Sequence, residues 1–296
     1  MLPMFIKLVT YLFIFYMQPE FKTLQGIDTV QLCDTFNLAF SDYLVPFHLT
    51  PVILQQKMEG ENLRRAFSIG AFFNGELGGF ILQGPDDDKH PKVLYNGGTG
   101  VIPAFRGQRL VQQMYGHFIP VYQQQGVRRL LLEVISTNLP AIKAYKATGF
   151  RKERVLHCYK GDIKAGARPG IEIRKSPSPD WERLGQFDTM QPSWSNSVDS
   201  RKREAPYVVT WEAYIDGKRA GYITVAKDTR RIRSIAVAPE MRRRGVGNTL
   251  LHTAAQQLPG AFSILNIDDA HPEISAFLEQ AGLTKYLSQY EMAMDI

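Results

Sequence analysis

Three arginines and two glycines separate an apolar run from a helical repeat in Ile235-Ala-Val-Ala-Pro-Glu-Met-Arg-Arg-Arg-Gly-Val-Gly-Asn-Thr-Leu-Leu251. Glycines at 245 and 247 remove side chains where a helix begins. Backbone N–H groups that lack a helical acceptor can then approach an anion, aided by the positive end of the helix dipole. Arg242, Arg243 and Arg244 add charge at the same place, and Val246 starts the apolar face of the helix. The chemistry this suits is the holding of a phosphate or diphosphate. No Lys-Ser or Lys-Thr follows the last glycine, as a nucleotide-hydrolase phosphate loop requires, and the spacing is not the dinucleotide-binding Gly-x-Gly-x-x-Gly.

A related loop lies earlier. Val101-Ile-Pro-Ala-Phe-Arg106-Gly107-Gln-Arg109-Leu-Val111 again runs from a strand end through proline to an arginine three residues on. It then enters a helix with Leu110, Met114, Tyr115 and Phe118 at helical spacing. Arg109 and Val111 stand where the later loop has glycine, and their side chains would crowd the backbone, so the later loop is expected to be the tighter seat. A different kind of group follows. Glu133 interrupts Leu130-Leu-Leu132 and Val134-Ile135 on a strand expected to be largely buried, where desolvation raises a carboxyl pKa and suits it to accept a proton. The plainer role is an ion pair with Arg128 or Arg129.

These groups need a scaffold. The spacing of Val30, Leu32, Cys33, Phe36 and Phe40 predicts a helix from Asp28 to Phe40, and Thr50-Pro51 reads as the cap and first position of a second, running to about Lys57. The β-rich runs 66–73 and 77–82 flank Asn74-Gly75, a hairpin signal, and a further strand ends near Val101-Ile102. A strand over 129–135 leads to a helix with Pro140 in its first turn and Gly149 at its stop. Past Lys160, glycine, alanine, proline and charge mark a linker over 161–176 with one short strand, 171–174. A polar stretch over 191–204 precedes another strand pair around Asp216-Gly217. Then come the arginine loop, a strand from Phe262, a helix over 272–280 and a stop at Gly282.

The order repeats. The hairpin turns at Asn74 and Asp216 lie 142 residues apart, the loop arginines Arg106 and Arg242 lie 136 apart, and the stopping glycines Gly149 and Gly282 lie 133 apart. Three kinds of landmark at a near-constant offset mark a duplicated unit, read here as two α/β domains over 18–160 and 177–296. A chain of 296 residues has room for two cores, and 44% apolar with 22% charged residues is a globular composition. The net charge of +6 is not organised for nucleic acid, since the basic residues lack interleaved aromatics or a known motif. Cys33 and Cys158 are too few for a metal site or disulfide framework, which points to a reducing, cytoplasmic setting. Residues 1–17 are apolar, but Lys7 interrupts them and they fall short of the roughly 20 residues of a spanning helix. A loosely docked arm or a true start at Met17 is favoured over a membrane anchor.

Strand, Val-x-Pro, then Arg242-x-x-Gly245-x-Gly247 and a helix resembles the pyrophosphate-binding signature of the GNAT N-acetyltransferases. Asn138-x-x-Ala141-x-x-x-Tyr145-x-x-x-Gly149-Phe150 resembles that family's later motif. The resemblance covers nearly everything after Phe21. It implies a tandem pair of GNAT-like domains, each a twisted, mostly antiparallel sheet flanked by helices, with acetyl-CoA as co-substrate and a primary amine of a small molecule or peptide as acceptor. It implies that Arg242, Arg243, Arg244, Gly245, Val246 and Gly247, with Arg106, Gly107 and Asn138 in the first copy, hold the cofactor. Backbone N–H groups around Ile235 and Val237, and at Val101, would polarise the thioester carbonyl, and Tyr145 would protonate the departing thiolate. An alkylammonium titrates near ~10.4, so a base such as Glu133, or a water chain, must deprotonate the acceptor. Neither copy is complete, because the second has Leu278 at the tyrosine position and His271 at the asparagine position. Tyr286 or Tyr290 could substitute there, although core or strand roles are commoner. Asp42, Tyr43 and 194–197 are candidates to line the acceptor pocket, with turns and caps as their ordinary roles. The alternative reading is a CoA-binding or assembly module without catalysis.

Overall fold

Asp28 accepts the Gln31 N–H and so caps helix α1 (Thr29–Ala39), and Thr50 accepts the Ile53 N–H at the start of α2 (Pro51–Gly60), the cap expected from sequence, in the computed structural model. The structure describes residues 18–42 and 48–296; the apolar segment 1–17 and Tyr43 lie outside them. Asn74 and Gly75 both take positive φ, 50° and 87°, the left-handed pair that joins β2 (Ile69–Phe73) to β3 (Glu76–Pro85) in a tight hairpin. Asp216 and Gly217, at 49° and 73°, do the same between β8 (Val208–Ile215) and β9 (Lys218–Ala226).

The chain divides into two compact units, Met1–Lys152 with Met292–Ile296, and Glu153–Glu291. In the first, β1 (Glu20–Thr23), β2, β3 and β4 (Val93–Val101) form an antiparallel run, and β5 (Arg129–Ile135) joins β4 in parallel. A parallel neighbour needs a crossover, which α3 (Leu110–Gln124) supplies. After β5 comes α4 (Leu139–Thr148), whose apolar side packs Ile142 and Tyr145 inward. Gly149 stops it at φ 120°. The C-terminal residues belong to this unit: the Ile296 N–H donates to the Arg128 carbonyl at 2.9 Å and Arg129 pairs with Asp295 at 2.8 Å.

The second unit repeats the plan with β7 (Glu172–Ser176), β8, β9 and β10 (Arg231–Val237) antiparallel in turn, and β11 (Phe262–Asp268) parallel to β10. The crossover is α7 (Val246–Gln257), and α8 (Pro272–Gln280) follows β11. Strand β6 (Arg151–Gly161) pairs antiparallel with β11, and β12 (Thr284–Asp295) closes the chain. Short helices α5 (Trp181–Gly185) and α6 (Val198–Arg203) precede β8. Each unit is therefore a mixed, mostly antiparallel sheet with helices on its faces. Its core lies between strands and crossover helix, as with Trp211, Ile223, Leu250, Leu251 and Phe262 in the second unit. No helix of the described residues is long and apolar enough to cross a membrane.

Candidate functional site

The site in the first unit starts from a strand that cannot stay straight. β4 pairs with β3 along its length, but the register steps from Gly98↔Leu82 to Asn96↔Gln83, leaving Gly97 as a bulge. A bulge bends its strand. The ladder between β4 and β5 ends at Asn96↔Leu132, so the two strands part from Gly97 onwards. A β-carbon at Gly97 or Gly98 would meet Glu61 and Leu63 or Phe36, so both residues turn toward α1 and the end of α2. In the second unit Arg233 is the bulged residue of β10, and the β10–β11 register ends at Ile232↔Ile264. Val101 in one copy, and Ile235 and Val237 in the other, lie half-buried on the diverging strands where amides for a carbonyl were expected.

Past each fork the chain makes the same turn. The Ile102 N–H donates to the Gly78 carbonyl and the Ala238 N–H to the Ala220 carbonyl, both at 2.9 Å. Arg106 Nε donates to the Val101 carbonyl at 3.1 Å and Arg242 Nε to the Val237 carbonyl at 3.2 Å, so these two arginines brace the loop on its own strand. Arg106 also donates to Asp42 at 2.6 and 2.8 Å and to the Ala39 carbonyl at 2.9 Å, and its hydrogen bonds hold the Asp42 carboxyl below the usual range. Gly107 and Arg109 are left-handed at φ 79° and 58°, matched by Arg243 and Gly245 at 61° and 85°. Neither α3 nor α7 has a side-chain cap, so no capping side chain takes the first-turn amides of either helix.

The two loops differ in what stands over the glycines. Nothing lies within 4 Å of where a β-carbon at Gly107 would be, a position that the repeat offset matches to Arg243, the first loop having Arg109 and Val111 where the later one has glycines. At Gly245 that point is 2.4 Å from Cγ of Arg168, and at Gly247 it is 2.9 Å from the Phe277 ring. Arg168 is held by its N–H donating to Thr249 Oγ1 at 3.0 Å, and the Ala165 carbonyl lies 3.1 Å from His252 Nδ1, so the stretch before β7 packs along α7. By the offsets of the repeat, Gly247 and Phe277 correspond to Val111 and Ala144. A small–large pair in one copy is a large–small pair in the other.

Tyr145 sits on α4, 8% exposed, edge-on to Phe150 with ring centres 5.8 Å apart. Tyr115 on α3 meets the same Phe150 at 5.3 Å and accepts a hydrogen bond from Asn96 Nδ2 at 2.9 Å. Asn96 Nδ2 also donates to Thr99 Oγ1 at 2.7 Å, and Asn96 Oδ1 accepts the Gly98 N–H at 3.0 Å. Burial, with Tyr145 nearby, pushes the Tyr115 hydroxyl well above the ordinary tyrosine range, so it stays protonated and able to donate. Asn96 thus ties Tyr115, which shares Phe150 with Tyr145, to the point where the strands part. Sequence spacing marks Tyr115 only as a core residue; the signal for its role is a polar asparagine just before two glycines in β4. Glu133 lies on β5 one residue past the last rung, half-buried with Oε1 shielded from solvent. The Asn138 side chain accepts the Ala141 N–H at 3.2 Å and so caps α4.

In the second unit Leu278 fills the tyrosine position and is fully buried. Its fork opens onto a cleft lined by Asp188, Met190, Asn196, Ser234, Ile235 and Ile267. Beneath it lies Arg201, fully buried, which pairs with Asp188 at 2.7 Å, donates to Ser234 Oγ at 3.0 Å and contacts the Tyr222 hydroxyl. Tyr222 donates to Asp188 at 2.6 Å, and burial raises its pKa. Of the segment 194–197, Asn196 reaches the cleft while donating to the Leu265 carbonyl at 2.9 Å, and Ser197 caps α6. Tyr286 lies under the Lys160 ammonium at 5.0 Å, with its pKa raised by burial.

The model of the acetyltransferase (GNAT) family matches this chain twice, over 32–150 and 171–282. A tandem GNAT protein from the clavulanic acid biosynthesis pathway, solved without AcCoA, is similar over 94% of this chain and 98% of its own at 15% identity and TM-score 0.71. A GCN5-related N-acetyltransferase from Sphaerobacter thermophilus is similar over 94% and 95% at 14% identity and TM-score 0.70. A putative acetyltransferase from Pyrococcus horikoshii is similar over 94% and 89% at 12% identity and TM-score 0.67. At these identities the likeness is one of fold. No match emerges among curated protein sequences.

Proposed function

The chain belongs to the acetyltransferase (GNAT) family, and from that premise we propose that it moves an acetyl group from acetyl-CoA to a primary amine of a small molecule or peptide, working from its first unit. The observation that carries this reading is the parting of β4 and β5 after Asn96 and Leu132, beside the Asn96–Tyr115 hydrogen bond and Tyr145. Acetyl-CoA, when bound, supplies an acyl carbon already activated as a thioester. The uncapped start of α3 and the open backbone at Gly107 fit a diphosphate. Exposed Arg109 adds positive charge beside them. Amides of β4 beyond the bulge, Val101 among them, polarise the acyl carbonyl. Glu133 accepts the proton of the acceptor ammonium, and Tyr145 gives one to the sulfur.

The second unit supports the alternative role for its own half, binding or structure without transfer. Leu278 cannot donate a proton, and Arg168 and Phe277 stand where its glycines would otherwise bare the backbone. The test is a panel of amines assayed for free thiol with acetyl-CoA. Tyr145→Phe, which keeps the ring packed on Phe150, is expected to lower turnover by about 10²-fold. Undiminished turnover would remove Tyr145 from the reaction. Acetyl-CoA binding without thiol release from any amine would replace the transferase reading with that of a binding module.

A further inference from the structure

A carboxylate lies against each strand bulge, and the two units neutralise it differently. In the first unit Glu61 caps α2, and its Oε2 is 2.7 Å from where a β-carbon of Gly97 would stand. A second glycine, Gly84 on β3, admits the Glu61 backbone, since a β-carbon there would meet the Glu61 carbonyl at 2.6 Å. In the second unit Glu204 caps α6 and pairs with Arg233, the bulge residue itself, a guanidinium only 5% exposed that also donates to the Ser195 carbonyl. Glu61 has as its counter-ion a primary ammonium, Lys57, whose Nζ meets both carboxylate oxygens at 2.6 and 2.7 Å. The Lys57 side chain is 28% exposed and that of Glu61 10%.

The Glu61 carboxylate therefore occupies the space that the missing Gly97 side chain leaves at the fork, and the Lys57 nitrogen is ion-paired to it. A nucleophile of the chain itself, Lys57, is thus ion-paired to a carboxylate that lies at the mouth of the diverging strands. A guanidinium such as Arg233 stays protonated and is not acylated under the same conditions; a lysine ammonium that loses a proton is. We propose that Lys57 is a self-acylation site of the first unit, with Glu61 as its proton acceptor. This rests on the reading of that unit as the acyl-transferring one. Glu61 takes a proton from Lys57 Nζ, the nitrogen forms a bond to the acyl carbon of a CoA thioester, and the carbon–sulfur bond breaks. Tyr145 protonates the thiolate, the second proton lost by the Lys57 nitrogen restores the Tyr145 hydroxyl by way of solvent, Glu61 releases its proton to water, and the products are acyl-lysine, free CoA thiol and one proton. Acylation removes the Lys57 charge, breaks the ion pair and leaves Glu61 at the fork to receive the ammonium of a second amine.

The experiment is peptide mass mapping of the purified full chain after incubation with acetyl-CoA. Exposed Lys143 and Lys146 serve as internal references for uncatalysed acetylation. The expected result is acetyl-Lys57 formed far faster than at the references, at a rate per chain that does not change with protein concentration. Glu61→Gln is expected to slow it by about 10²-fold. Glu61→Asp, which keeps the charge and shortens its reach, gives an intermediate rate if the glutamine variant folds poorly. Acetylation of Lys57 no faster than of Lys143, or at a rate that rises with protein concentration, overturns the proposal. If the amine panel releases thiol while Lys57 stays unmodified, self-acylation fails and the transferase reading stands. If acetyl-CoA neither binds nor yields thiol, both fail.

Discussion

Placing acetyl-CoA on the first unit exposes the assignment to a charge test at Gly107. Its φ of 79° suits glycine, but aspartate and asparagine tolerate the left-handed region better than other residues, so Gly107→Asp adds a carboxylate with little strain. Nothing stands within 4 Å of the new β-carbon, so the side chain has room. A carboxylate at roughly 5 Å from a diphosphate charge, at an effective dielectric of about 20, is opposed by about 3 kcal/mol, or about 10²-fold in affinity. Part of that is offset by Arg106 and Arg109 on either side, and salt weakens it further. Calorimetric titration with acetyl-CoA at low ionic strength reads the effect, with Gly107→Asn as the uncharged control. The expected order is near wild-type affinity for asparagine and a loss of about 10²-fold for aspartate, shrinking as salt is added. Gly245→Asp in the second unit drives its β-carbon into Arg168, so it is expected to lower the melting temperature and leave affinity nearly unchanged. Wild-type affinity in Gly107→Asp together with lost binding in Gly245→Asp would refute the placement and return the cofactor to the arginine loop.

Arg201→Met leaves the half-buried Asp188 carboxylate without its guanidinium, and urea unfolding is expected to show a loss of about 3–5 kcal/mol; a change under 1 kcal/mol would mean the pair is not structural. Gly247→Val alone crowds Phe277 and is expected to cost about 1–3 kcal/mol, whereas combining it with Phe277→Ala gives the large–small pair that the first unit has at Val111 and Ala144. A double-mutant cycle for that pair is expected to show coupling of about 1 kcal/mol or more, and simple additivity would deny the swap. At Glu212, burial opposes ionisation, but hydrogen bonds from Ser176, Tyr214 and Arg219 outweigh it and hold the carboxyl below its ordinary value. A lowered folded pKa gives stability that is present above the unfolded carboxyl range, near ~4.3, and lost as pH falls through the folded value. Glu212→Gln is thus expected to be less stable than wild type at pH 7 and to converge with it below about pH 4; a constant difference across that range would contradict the shift.

Landmarks that depend on a residue's own backbone were legible in the sequence. Asn74-Gly75, Asp216-Gly217, Thr50-Pro51 and Gly149 each demand a local conformation, and each adopts it. Strands β6 and β12, the bulges at Gly97 and Arg233, and Glu61's place beside one of them were not legible. A strand with weak alternation is fixed by its neighbours in the sheet, and a bulge by two registers that disagree by one residue. Glu133 is singled out in the sequence because it interrupts an apolar run, and Tyr145 because it falls in the motif that resembles the family's. Asn96 and Tyr115 were passed over because a hydrogen bond between two distant elements leaves no periodic trace.

Gly247 shows why a complete motif is weaker than it looks. A glycine at a helix start has two physical uses: it bares amides to an anion, or it lets another side chain come close, and both leave the same letter in the sequence. Only the neighbour separates them. The ring of Phe277 lies against Gly247, while the matching neighbour in the first unit is Ala144, beside a valine that the signature would disallow. The helix pair α7–α8 thus uses its missing side chain for packing. The pair α3–α4 puts its bulk on the other helix and keeps alanine beside Tyr145 on α4. A duplicated unit that exchanged volumes in this way would keep the glycine signature in the copy that lost the tyrosine, and the tyrosine in the copy that lost the glycines, without having divided one active site between them.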